Sequence, residues 1–499
     1  MNKPRLPAAQ PGGRRRVLCS AIFAAPCVLL TAIGCQESLP PPERPLSPDE
    51  RRQFDEPLQF SAWQEPGGWP QFGHDPLHSG RSDVDLQSPH LEAAWQFRPT
   101  DHVWPYQPEY CAWSSPVAGT VTGRPLIIAG YYDRNVYAID ARTGQKAWEF
   151  RPGACVFASP ALGEAGGRAM VFVASVNRSI YGLDAVTGNK CWEFPTASWS
   201  FTQAASFMSS PTLVRDGEVE ILLLGAWNAD RSSSRNIQDG EVLALRAARG
   251  TLLWRKRLGS ARVTSPVVAK LGGEFTVFVA THTGMIHALR LQDGREIWQA
   301  VLNEELRSSP SVVNVEGLAR LFVGTRFHTL LGLDCQWGAR RVRAQAGYWI
   351  DATPSWFRTH NGTTAVVAGS HDQRIHAWSA ASGLHLWSAK TGNYAYSSTA
   401  LARLAGRPVT LTMSWDEHVY LLDGETGDGI WKAKSGPLLW SHVFQGDSLW
   451  ASPIVAKMAE RPMILVPACD GVLYAFQPRG SAPSKSSYQT PATGEHPDP

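Results

Sequence analysis

Three groups of residues have the types and spacing to do chemistry. The first stands three positions before the end of a recurring Ser-Pro-like tetrapeptide: Trp113, Phe157, Met208, Val263, Arg307, Asp351, Tyr396 and Trp450. Brought round one axis, aromatic faces with one cation and one carboxylate suit the cradling of a ligand. Bulky side chains that simply fill a funnel explain the same series. The second is a pair of cysteines in register, Cys111 five residues before Pro116 and Cys155 five before Pro160. An exported chain can keep such a pair as a disulfide, and separate buried thiols are the alternative. The third is Cys35, which ends the apolar run "VLCSAIFAAPCVLLTAIGC" and is placed to carry a lipid. His74 and His78, in "GGWPQFGHDPLHSGRS", read as packed or solvent-bonded loop residues rather than metal ligands.

These positions have meaning only within a repeat. The tetrapeptides are "WSSP", "FASP", "MSSP", "VTSP", "RSSP", "DATP", "YSST" and "WASP", ending at Pro116, Pro160, Pro211, Pro266, Pro310, Pro354, Thr399 and Pro453. A second landmark is a glycine at 144, 188, 250, 294, 338, 383 and 427, at intervals of 44, 62, 44, 44, 45 and 44 residues. Four residues beyond it stands a tryptophan in every copy except the fifth, where Val342 replaces it. Between the landmarks lie short apolar runs rich in branched residues ("PLIIAG", "AMVFVA", "FTVFVA"), then a polar turn, then an alternating run such as "NVYAID". In "DARTG" the aspartate can cap its own turn, and the glycine can supply positive φ. About four short strands per 44 residues predicts a β-propeller blade, with no helical periodicity after the leader.

A WD40 blade has a similar period but different punctuation: Gly-His and Trp-Asp pairs are not repeated here. The recurring "(Y/H)AxD(A)xTGxxxW" closely resembles the PQQ-like repeat, over about residues 90 to 480. That resemblance implies an all-β, eight-bladed propeller. The last unit has inner strands but no "TGxxxW" strand, whereas "LEAAWQFRP" at 91–99 matches "KAWEFRP". Blade eight is therefore expected to combine three C-terminal strands with this N-terminal one, hiding an edge that would otherwise invite pairing. The expected organisation is a lipoprotein signal peptide at 1–34, a Pro-rich polar stalk at 35–68, the propeller at 69–480 and a disordered tail at 481–499.

The leader sets the expected compartment. Residues 1–34 hold five basic and no acidic residues, then a short apolar core with small residues before the cut. "AIGC" resembles a bacterial lipobox, and Gln36 and Glu37 lack the aspartate that retains some lipoproteins at the inner membrane. An outer-membrane lipoprotein facing the periplasm or the cell surface is expected. Removing the leader's five basic residues from 47 leaves 42 against 44 acidic, a net −2, so the formal +3 is no argument for nucleic-acid binding.

The PQQ-like family includes quinoprotein dehydrogenases and non-catalytic envelope propellers such as BamB. For the enzymes, the resemblance implies a quinone sandwiched by a tryptophan and a vicinal disulfide, a calcium held by carboxylate and amide, and an aspartate base. This sequence has no Cys-Cys pair and no CxxCH haem motif, so no catalytic residue is carried over. The expected role is a lipid-anchored scaffold for envelope proteins, BamB-like in supporting the outer-membrane barrel assembly machinery, with no cofactor. The alternatives are a dehydrogenase using PQQ with calcium and a sensor using the aromatic funnel. Two further segments stand out. Repeat three carries 18 extra residues, in and before "WNADRSSSRNIQDG", and "GARRVRAQ" near Arg340 adds charge where the tryptophan is lost. Cys191 and Cys335 are expected to be buried.

Overall fold

The computed structural model describes residues 42–56, 67–99, 114–196, 209–230, 237–259, 262–434, 451–468 and 471–479. Their strands form eight sheets, one per blade. Blade 1 runs from the axis outward as Val117–Val121, Arg124–Gly130, Val136–Asp140 and Lys146–Phe150, all antiparallel. Blades 2 to 7 repeat this order over 161–195, 212–259, 267–301, 311–345, 355–390 and 400–434.

Three elements precede the ring: helix α1 (Pro48–Asp55), strand β1 (Arg81–Asp85) and strand β2 (Leu91–Phe97). β2 is the outermost strand of blade 8, antiparallel to Leu473–Pro478, and completes Ile454–Met458 and Arg461–Pro467. The ring thus closes as the sequence predicts. β1 adds a fifth strand, parallel to Ala400–Leu404 of blade 7.

In such a meander the first–second and third–fourth strand turns share one end of the ring, here the turn face. The other connections form the opposite loop face. The core lies between blades: Leu126, Ile128 and Trp148 of blade 1 pack with Leu162, Val171 and Tyr181 of blade 2. Burial at every inter-blade seam is how one domain outgrows the usual single core.

The TGxxxW landmark is an inter-blade latch. Trp148 Nε1 donates to the Ala185 carbonyl of the next blade at 3.0 Å, and its ring lies over Gly188. Trp95 of β2 does the same to Ala141 and Gly144, so the N-terminal strand latches blade 8 to blade 1. Gly188 has φ +75°, and a Cβ there would meet Trp148 Cε3 at 2.6 Å. Only glycine satisfies both demands. In the fifth copy Val342 and the Arg343 backbone cover Gly383 instead.

The Ser-Pro landmark is a second, inner latch. The backbone N–H of Ser115 donates to Ser159 Oγ, Ser159 to Ser210, Ser210 to Ser265 and Ser265 to Ser309, at 2.9–3.2 Å. Thr353 donates to Ser398, Ser398 to Ser452 and Ser452 to Ser115. At seven of the eight junctions a short hydroxyl thus satisfies a buried N–H of the preceding blade.

Beneath this hydroxyl ring the segment 67–80 winds round the axis. It bonds each innermost strand in turn: Gly67 with Lys457, Trp69 with Ala118, Pro70 with Leu162, and the Gln71 side chain with Leu213. Pro76 then meets Val268, Leu77 Val312, Ser79 Trp356 and Gly80 Leu401. All eight blades are touched. His74 and His78 are packed inside it, 4% and 1% exposed, around the fully buried Asp75. Asp75 accepts from the Leu77 and Ser79 backbones and from Ser79 Oγ.

Two features differ from the sequence reading. Part of the expected stalk is ordered onto the turn face: Leu46 and Phe54 are buried, and α1 carries a Ser47 capping box. Cys335 is buried as expected, but Cys191 is exposed, because it lies on the outward side of blade 2's outermost strand.

Candidate functional site

Of the eight axial positions, Trp113, Met208 and Trp450 lie outside the described residues, as do Cys35 and Cys111. The other five stand at the loop-face ends of their blades. Phe157 packs against Tyr132, with ring centroids 5.6 Å apart, and Tyr396 against Trp415 at 5.6 Å. Val263 is buried. Arg307 and Asp351 join a charged cluster that the repeat register did not reveal.

The cluster is built by loop residues of blades 4 to 6, with His282, Arg326 and His371 at one shared repeat position, twelve residues before the landmark glycine. Arg326 makes a bidentate pair with Asp351, 3.2 and 3.0 Å, and Arg307 Nε donates to Glu305 at 2.8 Å. Planar guanidinium forks favour this geometry. The Arg326 guanidinium also lies 4.3 Å over the ring of Trp349. Arg262 lies 4.2 Å over Trp227, at the base of the long hairpin formed by Val219–Asp230 and Ile237–Arg246. Those two strands hold the extra length of repeat three, whose tip at 231–236 is outside the described residues.

Electrostatics follow from this crowding. Burial, then the neighbouring Arg307, Arg262 and Arg326, push His282 down to about 3. Burial and Arg307 bring Arg262 down to about 10. His371, 3.5 Å from Asp351, is lowered chiefly by burial. At neutral pH the histidines are therefore uncharged, while three guanidiniums face two carboxylates.

An aromatic band continues from the cluster. Tyr348 stacks on Trp349 at 4.8 Å, Trp349 meets His371 at 5.7 Å, and His371 stacks on Tyr394 at 5.2 Å. Tyr394 then meets Trp415 at 5.5 Å. Tyr348 is 39% and nearby Phe327 56% exposed. The band sets paired guanidiniums beside partly exposed π-faces, which is the chemistry of interface centres.

Sequence reasoning found Arg307, Asp351 and Tyr396 here and missed Arg262, His282, Arg326, Trp349 and His371. "GARRVRAQ" is committed internally: Arg341 pairs with Glu43 and Asp334, and Arg343 with Glu304. Cys155 is half-buried in the loop before blade 2, and its carbonyl accepts from Val176 N and Ser175 Oγ. Among the described residues, no group of three or more His, Cys, Asp or Glu is placed to hold a metal ion. No helix among them is long and apolar enough to cross a membrane.

The fold is shared with solved structures. Quinohemoprotein alcohol dehydrogenase from Comamonas testosteroni aligns with a TM-score of 0.62 at 14% identity, over 85% of this chain and 82% of that one. A europium-containing methanol dehydrogenase gives 0.62 at 14%, over 83% and 98%. BamB from Moraxella catarrhalis gives 0.49 at 16%, over 79% and 99%. At these identities the first two show the fold alone. No curated protein sequence matches the chain. The family profile described as outer membrane protein assembly factor BamB matches residues 92–267, 238–317 and 282–438, from the closing strand of blade 8 through blade 7. The chain belongs to that BamB-type family of PQQ-like propellers.

Proposed function

We propose that the protein is a lipid-anchored scaffold of the bacterial cell envelope, holding other envelope proteins in the manner of BamB during outer-membrane protein assembly. The observation that carries this reading is the family match over 92–438. The loop-face band of arginines, tryptophans and tyrosines supports it, because these residue types dominate the energetic centres of protein interfaces. This reading puts the partner surface on that band and the lipid on Cys35. In a capture experiment from detergent-solubilised envelopes, wild-type protein should retain a defined partner set. Arg326→Ala with Trp349→Ala should lose it while the protein still folds, with a circular-dichroism spectrum like the wild type's. Equal capture by both proteins would remove the band from the interface.

A quinone-dependent dehydrogenase is the reading its structural neighbours suggest. The loop-face donor set argues against it: Asp351 and Glu305, the carboxylates in the cluster, are held by Arg326 and Arg307. A calcium there would lie against a guanidinium. Protein incubated with PQQ and calcium, then desalted, should show no quinone absorbance; stoichiometric retention would favour the enzyme.

A further inference from the structure

Residues 43–56 are pinned to the turn face across three blades. Glu43 pairs with Arg320 and Arg341, and Arg44 exchanges backbone bonds with the Gln336 side chain, all on blade 5. Leu46 N–H donates to the Gly317 carbonyl. The Gln53 amide bonds both backbone groups of Lys270 on blade 4, at 2.8 and 2.9 Å, as a neighbouring strand would. Glu50, 4% exposed, accepts from Gly272 N–H and pairs with Arg44. Burial alone would raise the Glu50 carboxyl. The bond from Arg44 and those from Ser47 and Gly272 outweigh it and hold the group at about 2. Phe54 is fully buried against Trp356 of blade 6, and Arg81 secures its carbonyl.

Chain length then matters. A free stalk over residues 36–68 would span on the order of 110 Å and leave orientation undetermined. Eight Cα steps from Cys35 to the pinned Glu43 span at most about 28 Å. The turn face beside this clamp also exposes large apolar side chains, Trp337 at 53% and Leu384 at 67%, on the outer turns of blades 5 and 6. Trp337 adjoins Gln336, the residue that holds Arg44. Exposed tryptophan is the side chain that best suits the boundary between headgroups and acyl chains.

We infer that α1 is a tether clamp that seats the turn face of blades 5 and 6, through Trp337 and Leu384, on the lipid surface and points the loop-face band away from it. The inference rests on lipidation of Cys35, proposed above.

Trp337 and Phe327 are matched reporters, on opposite faces of one blade with 53% and 56% exposure. The test is hydroxyl-radical footprinting of the full lipidated protein in phosphatidylethanolamine–phosphatidylglycerol vesicles, read against soluble Cys35→Ser protein. Trp337 labelling should fall at least threefold on anchoring, with Phe327 unchanged. In Glu50→Ala with Phe54→Ser the two reporters should be labelled alike, because the clamp is released; retained protection of Trp337 there would overturn the role of α1. Intact mass of the Cys35 peptide separates the two ideas. Lipid present with equal labelling in the wild type overturns the orientation alone. A peptide without lipid overturns the anchor and the orientation with it.

Discussion

The backbone N–H of Ser452 donates to Ser115 Oγ at 2.8 Å, joining residues 337 positions apart. This bond closes the inner ring of landmark hydroxyls where blade 8 meets blade 1. Both residues are buried, 6% and 4% exposed. Ser115→Ala removes the acceptor and leaves a buried donor without one, a loss of about 1–3 kcal/mol. A urea titration followed by tryptophan fluorescence should show a lower midpoint with an unchanged slope. An unaltered midpoint would mean the closure bond adds nothing to the ring.

The outer latch makes a coupled prediction. Trp148→Ala should cost about 3–5 kcal/mol as a large aromatic leaves a packed seam. Gly188→Ala should also destabilise, since its new Cβ meets the same ring at 2.6 Å and φ there is +75°. In the double variant the clash has no partner, so the two losses should fall short of additivity by at least about 0.5 kcal/mol in urea midpoints. Strict additivity would mean that ring and glycine do not share a seam.

The blades were legible because each landmark repeats one physical task. The Ser hydroxyl accepts from the preceding blade's backbone, and the Trp of one blade covers the Gly of the next, so the same residues return in most copies at intervals of 44 or 45 positions. Even the closing strand could be placed, because Trp95 performs the task of Trp148. α1 was not legible as a helix. Its "SPDERRQFD" run holds the Ser47–Glu50 capping box, but eight residues are too few for periodicity and the stretch lies among prolines. The loop-face cluster was only partly legible for the opposite reason. His282, Arg326 and His371 do share a place, twelve residues before the landmark glycine, but Tyr132, Val176 and Trp415 stand there in other copies, so the changing residue types hid what the register aligns.

The register of Cys111 and Cys155 predicts a bridge between neighbouring loop-face positions. Closing a loop of 44 residues would stabilise the protein by roughly 4 kcal/mol on the chain-entropy account. Non-reducing peptide mapping of protein from an oxidising compartment should recover Cys111 linked to Cys155, with Cys191, Cys335 and Cys469 as thiols. Recovery of thiols at both 111 and 155 would sink the pairing.

Part of the acid sensitivity should originate in the axial segment, beside that of His282 in the loop-face cluster. His78 is buried beneath the hydroxyl ring, with Nδ1 3.0 Å from the Pro310 carbonyl, so that nitrogen carries the proton and donates. Burial pushes the ring down to about 4 from its usual 6.5, although the Pro310 bond and the Asp75 charge act upward. The neighbouring carboxylate is itself engaged by His74 at 3.2 Å. Because the folded value lies below the unfolded one, the unfolded chain binds the extra proton between pH 6.5 and 4. Stability is therefore complete above about pH 6.5, falls as the pH drops through that window, and levels off near 4. From pH 7 to pH 5 the loss from this one group is about 2 kcal/mol. His78→Gln keeps a donor for Pro310 without a titrating ring. Its urea midpoint should drop less than the wild type's over the same interval, and an identical drop in both proteins would show that the acid sensitivity arises elsewhere.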